Sequence, residues 1–99
     1  MPIIENKKNG RIEFLFSEIS SYKNTQKVLN FFETEIKPDK IVYNNSWDFF
    51  NTEYIKNGVF ITIDNIYEII RLTVKDSLSE IELKTIREWV KMAYNNLQG

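Results

Sequence analysis

The sequence contains neither cysteine nor histidine. Without cysteine the chain can form no disulfide, no thiolate nucleophile, no iron–sulfur cluster and no zinc–thiolate site. Without histidine it lacks the usual general base near neutral pH and the commonest metal ligand. Catalysis would have to depend on carboxylates, Lys, Tyr or Ser alone. We therefore expect a protein that is not an enzyme and that needs no metal or cofactor.

Glycines and long apolar runs are also scarce. The three glycines, Gly10, Gly58 and Gly99, form neither a phosphate-binding loop nor a dinucleotide fingerprint. The apolar runs are far shorter than the roughly 20 residues that a membrane-spanning helix needs. The N-terminal stretch has no apolar segment typical of signal peptides. We therefore expect a cytoplasmic protein that does not enter a membrane.

The remaining composition is that of an ordinary globular domain. The 99 residues are 42% hydrophobic and 27% charged, which predicts a single domain over residues 1–99. The net charge of −1 supplies no strong field for nucleic acid, and the basic signature of RNA-recognition sheets is missing. Acidic residues outnumber the one lysine between residues 44 and 70, which favours a basic partner or a solvated polar strand face.

Strand-like runs separated by turn residues dominate the chain. Apolar and β-branched residues predict six strands, at residues 2–5, 11–17, 41–43, 47–56, 59–63 and 66–74. Asn9-Gly10 and Asn57-Gly58 predict tight hairpin turns, and Asp64-Asn65 predicts another. Because Ser46 can cap a helix, a short helix over residues 46–52 stays open as an alternative to the start of the fourth strand.

Two stretches have the apolar spacing of amphipathic helices. The first covers residues 23–36, with Ser21 or Asn24 as its cap. The second begins at a capping box formed by Ser79 and Glu82 and runs almost to the end of the chain. The order (β)β-α-β-β-β-β-α predicts an α+β two-layer sandwich, in which two helices cover one face of a mainly antiparallel sheet. The other face would be open.

The aromatic and acidic residues near the central hairpins predict a partner-binding surface. Aromatic side chains dominate binding hot spots, and carboxylates that pair with a partner's Lys or Arg speed association. A bulge or short helix near residue 47 would instead turn the aromatics into the core. The surface is predicted on the open sheet face and its turns, at Tyr43, Trp47, Asp48, Glu53, Tyr54, Asp64 and Tyr67.

The segment from Trp47 to Leu97 carries a resemblance to a known group of proteins. An aromatic and acidic strand, an NG hairpin, a second strand and a capped helix follow one another as SWDFFNTEYI, NIYEIIRLTV and LSEIELKTIREWVKMAYNNL. This layout resembles the immunity proteins of bacterial polymorphic-toxin and contact-dependent growth inhibition systems. The resemblance implies a cytoplasmic protein that binds one cognate toxin domain, in many cases a basic nuclease, and blocks its active site.

Two other functions are compatible with the same sequence. One is a phage or mobile-element regulator that acts on a host protein. The other is a self-associating structural or adaptor domain, for which a homodimer is the simplest form. The sequence alone does not choose between them and an inhibitor.

Overall fold

The computed structural model describes residues 3–16, 21–44 and 50–98. Its elements follow the predicted order of two strands, a helix, four strands and a helix. The strands are β1 (Ile3–Lys8), β2 (Arg11–Phe16), β3 (Lys40–Tyr43), β4 (Phe50–Lys56), β5 (Val59–Ile66) and β6 (Ile69–Lys75). The helices are α1 (Tyr22–Phe31), continued by a π-helical turn (Phe32–Ile36), and α2 (Glu80–Gln98).

The described strands form one antiparallel sheet in the order β1-β2-β6-β5-β4-β3. Strands β4, β5 and β6 make a meander, and β3 lies at one edge beside β4. The β1–β2 hairpin joins this meander through the β2–β6 pair, in which Phe14 lies opposite Leu72. The predicted α+β class and mainly antiparallel sheet are therefore confirmed.

The core lies between the sheet and the two helices. Along β2 and β6 every second residue is buried there, as the period of two along a strand requires. The largest fully buried side chains are Tyr54, Phe14, Phe16, Phe32, Leu29, Ile61, Ile63, Ile70, Leu72 and Ile86. Burying a side chain of this size stabilises the fold by about 1.5 to 3 kcal/mol. A slip of one residue would move a whole strand's apolar set into solvent, so the register is strongly specified.

The helix starts agree with the sequence. The Ser21 hydroxyl accepts a hydrogen bond from the backbone N–H of Asn24 at 3.1 Å, so Ser21 rather than Asn24 caps α1. At α2, the Ser79 hydroxyl accepts from the Glu82 N–H and the Glu82 carboxylate accepts from the Ser79 N–H. The predicted capping box is therefore confirmed.

Two of the predicted hairpin turns are confirmed and one is wrong. Both residues of Asn9-Gly10 and of Asn57-Gly58 have positive φ, as a two-residue turn of this hand requires. Asp64-Asn65 is not a turn, because both residues continue β5. The chain reverses instead at Tyr67-Glu68, where φ is 53° and 63°. This turn places two non-glycine residues in the left-handed region, which costs about 1 to 2 kcal/mol per residue.

Both polar residues of this stretch stay in β5 because each finds a partner there. Asp64 accepts hydrogen bonds from Arg71 on β6, and the Asn65 amide donates to the Thr25 hydroxyl on α1 at 2.7 Å. Residues 50–56 form the strand predicted for this region. The choice between strand and helix at residues 46–49 lies outside the described residues.

Candidate functional site

The side of the sheet that points away from α1 and α2 is called the open face here, because no described helix covers it. Its side chains alternate with core residues, so that Glu13 lies between buried Ile12 and Phe14 on β2. The middle of this face forms a shallow depression of about 400 Å³. Charged and polar side chains from β2, β4, β5 and β6 line most of it.

Arg71 occupies the centre of the open face and is held by two carboxylates. Its Nε and Nη2 donate to the Asp64 carboxylate at 3.0 and 2.7 Å, and its Nη1 donates to Glu13 at 3.1 Å. The hydrogen bonds to Asp64, assisted by the charge of Glu13, raise the pKa of Arg71 above its ordinary value. Such a bidentate pair fixes the plane of the guanidinium relative to the Asp64 carboxylate.

Among the described strand residues, Phe60 on β5 is the exposed aromatic of the open face. Its side chain is 54% exposed although the neighbouring Val59 and Ile61 are buried. The Nζ of Lys75 lies 5.9 Å from the ring centroid, within the range of a cation–π contact. Aromatic side chains are enriched at protein interfaces, so an exposed ring beside a cation is a suitable anchor for a partner.

The structure brings only part of the predicted surface together. Glu53 and Asp64 both line the depression, but Asp64 is 4% exposed and already bound to Arg71. Tyr67 is 95% exposed and lies at the β5–β6 turn. Trp47 and Asp48 lie outside the described residues.

Tyr43 and Tyr54 lie on the helix-facing side of the sheet, where Glu33 of the π-helical turn binds both. The Tyr54 hydroxyl donates to one Glu33 oxygen at 2.7 Å, and the Tyr43 hydroxyl donates to the other at 2.5 Å. Tyr54 is fully buried and stacks on Phe32, with ring centroids 5.8 Å apart. The expectation that Tyr54 lies on an exposed surface is therefore wrong, because it alternates with Glu53 along β4.

This covered cluster ties β3 and β4 to the helical layer. Burial raises the pKa of the Tyr54 phenol far above its ordinary range, and the Glu33 carboxylate adds to the effect. The hydrogen bond to Glu33 also raises the pKa of Tyr43. Both phenols therefore stay protonated at neutral pH and act as donors to the Glu33 carboxylate.

Comparison with known proteins gives no matching family model, no matching curated protein and no matching solved structure. Among the described residues, neither helix combines the length and hydropathy needed to cross a membrane. The same residues contain no group of three or more side chains placed to hold a metal ion. The site must therefore be interpreted from its own geometry.

Sequence reasoning missed Phe60 and Arg71 as members of the candidate site. A signal for both existed. Strand alternation places the side chain of Phe60 on the sheet face opposite to that of its neighbours Val59 and Ile61. Arg71 similarly stands between buried Ile70 and Leu72. Their convergence in one depression depends on the β5–β6 turn, which sequence reasoning placed at Asp64-Asn65 and not at Tyr67-Glu68.

Proposed function

We propose that this chain is a non-enzymatic protein-binding module that binds its partner through the open face. The observation that carries the proposal is Phe60, a half-exposed aromatic ring on the central strand β5, on a sheet face that no described helix covers. Burying an aromatic anchor in a partner's pocket is the usual source of hot-spot energy. The Arg71 cluster lines the same depression as Phe60 and supplies fixed polar groups there.

The partner we propose is a toxin domain that this chain neutralises. Support comes from the resemblance of the segment from Trp47 to Leu97 to immunity proteins. It also comes from the depression, whose polar lining offers hydrogen-bonding groups without a deep enclosed cavity for a small substrate. In this proposal the chain acts by covering the toxin's active site.

Co-purification with a matched pair of variants tests this function. Tagged wild type, Phe60→Ala and Met92→Ala are used as bait in lysate of the native cell. Met92 is the control because it is 48% exposed on α2, close to the 54% of Phe60, but lies in the helical layer. We expect one stoichiometric protein to be captured by wild type and Met92→Ala, and to be lost or strongly reduced with Phe60→Ala.

The recovered protein is then expressed alone, and its activity is measured with and without this chain. Inhibition at a one-to-one ratio is the expected result for an immunity protein. A partner that Phe60→Ala binds as well as wild type would refute the open face as the interface. A light-scattering mass equal to a dimer, with no other protein captured, would favour the self-associating alternative.

A further inference from the structure

Three cations stand side by side on the open face, on three consecutive strands. Lys8 on β1 lies directly opposite Arg11 on β2, and Arg11 lies directly opposite Lys75 on β6. Neighbouring strands are about 4.8 Å apart, so the three residues cross the sheet within about 10 Å. All three side chains are exposed. We name Lys8, Arg11 and Lys75 the basic row.

The basic row continues across the sheet into an apolar stretch. The ring of Phe60 lies beside Lys75, and Ile55 lies opposite Phe60 on β4. Lys40 on β3 lies opposite Ile55 and closes the row at the far edge. Cations thus flank an exposed aromatic ring along one line that uses all six strands.

Like charges directly opposite each other in a sheet are destabilising. The chain nevertheless places two such pairs, Lys8 with Arg11 and Arg11 with Lys75, next to each other. Among the described residues, none of the ion pairs includes a member of the basic row. Glu13 is bound to Arg71 instead. The fold therefore leaves this positive charge uncompensated.

We infer that the basic row docks an acidic segment of the protein partner, with an apolar side chain of that segment seated on Phe60. This inference rests on the proposed protein-binding function and specifies its chemistry. Opposite charge on the partner would turn the repulsion within the row into attraction and would steer the encounter. The acidic residues between positions 44 and 70 suggested a basic partner. In the structure, however, Asp64 is paired with Arg71, and Glu53 is the one acidic residue of the depression that is exposed.

A protein segment fits this row better than a nucleic acid strand. Proteins that bind single strands use several aromatic rings, on which successive bases stack. Among the described residues, the strands present one ring on the open face, Phe60. Glu53 is exposed two positions from Ile55 along β4 and would repel a phosphate backbone that followed this strand. An acidic peptide supplies separated carboxylates and an apolar side chain together.

Fluorescence anisotropy with two probes of equal charge tests the inference. One probe is a labelled peptide of glutamates around a central leucine, and the other is a labelled oligothymidylate. The row variant is Lys8→Glu with Lys75→Glu, which flanks Arg11 with opposite charge and should not harm folding. The control is Lys84→Glu with Lys91→Glu, which makes the same change of net charge at exposed positions of α2.

We expect the peptide to bind wild type and the α2 control alike, and to bind the row variant at least about tenfold more weakly, since loss of paired charges at an interface costs 1.4 kcal/mol or more. Phe60→Ala should weaken peptide binding in the same direction. Tighter binding of oligothymidylate than of the peptide would overturn the inference in favour of a phosphate polymer. Equal weakening by the row variant and the control would also overturn it.

The same row variant separates this inference from the proposed function. A captured protein partner that the row variant retains in full would refute the acidic segment and leave the protein-binding function standing. If no partner is captured, the proposed function fails, and the probe measurement still decides whether the row selects an acidic peptide.

Discussion

Arg71 and Arg11 lie on adjacent strands of the same sheet face but have opposite surroundings. Arg71 makes three hydrogen bonds to two carboxylates, whereas Arg11 has a lysine as its cross-strand neighbour on each side. The first charge is satisfied within the fold. The second is left unsatisfied at a cost in stability. The difference teaches that one sheet face can hold both charges that are paired with carboxylates and charges whose cross-strand neighbours are of the same sign.

The largest expected effect comes from removing Arg71, the arginine that is paired with carboxylates. Arg71→Met leaves the carboxylate of Asp64, with 5% of its side chain exposed, without its cation. We expect the free energy of unfolding to fall by about 3 kcal/mol, the lower end for a buried pair, because 29% of the Arg71 side chain reaches solvent. Urea denaturation should show a lower midpoint with an unchanged slope.

A charge-removing rescue is the control for this prediction. Adding Asp64→Asn and Glu13→Gln to Arg71→Met removes the unpaired charges and should restore at least half of the lost stability, since an uncompensated charge is the main cost. If the triple variant is as unstable as the single one, the loss comes from packing of the Arg71 chain and not from charge.

A second prediction concerns the two tyrosines that bind Glu33 on the helix-facing side of the sheet. Tyr54→Phe removes the buried donor to Glu33 and should lower the free energy of unfolding by about 1 to 2 kcal/mol. Tyr43→Phe, which removes the other donor from a 55% exposed residue, should cost less. Thermal or urea unfolding at pH 7 compares the two, and equal losses would contradict the distinction between buried and exposed donors.

The raised pKa of Tyr54 gives this cluster a pH dependence. The unfolded phenol loses its proton near pH 10, whereas the native phenol keeps it. Stability from this group is therefore complete below about pH 10 and falls as pH rises further, by about 1.4 kcal/mol per pH unit. Tyr54→Phe should remove this part of the slope in unfolding measured from pH 9 to 11, and an identical slope in both proteins would count against it.

A smaller effect of opposite sign is expected in the basic row. Arg11→Glu converts two like-charge neighbours into opposite-charge pairs and should raise the free energy of unfolding by about 0.5 to 1 kcal/mol. Arg11→Gln should give a smaller gain, and added salt should narrow both differences because the charges are exposed. Destabilisation by Arg11→Glu at low salt would show that the row is not under electrostatic strain.

The smallest effect is expected for a second arginine–carboxylate pair, which has the same chemistry as Arg71 and Asp64 but is more exposed. Arg87 on α2 donates two hydrogen bonds of 2.9 Å to the Glu5 carboxylate, as Arg71 donates two to Asp64. However, 50% of the Arg87 side chain and 40% of the Glu5 side chain are exposed. Arg87→Met should therefore lower the free energy of unfolding by only about 0.5 kcal/mol. A loss as large as that of Arg71→Met would mean that burial does not separate the two pairs.

The fold was predictable from the sequence because its signals are local. Strand alternation, the Asn-Gly pairs and the Ser79 capping box depend on residues within a few positions of each other. The turn at Tyr67-Glu68 could not be predicted in this way, because two non-glycine residues adopt positive φ there against their preference. Partners distant in sequence, such as Thr25 for Asn65, hold the preceding polar residues in the strand.

The candidate site was much less predictable than the fold. Tyr54 was assigned to the surface for its residue type, although its position relative to Glu53 places it on the covered side. The basic row collects residues from β1, β2 and β6. Its existence follows from the strand order, which only packing of the whole chain determines.

The junction between β2 and β6 also has a consequence for how quickly the sheet forms. Glu13 and Arg71 are 58 positions apart, whereas β4, β5 and β6 are connected by two-residue turns. Closing a long loop costs more chain entropy than closing a short one, and such distant pairing slows folding. We expect the meander to form first and the β1–β2 hairpin to dock last. Stopped-flow measurements should then show that a conservative change of Phe14 mainly speeds unfolding, whereas one of Ile63 slows folding.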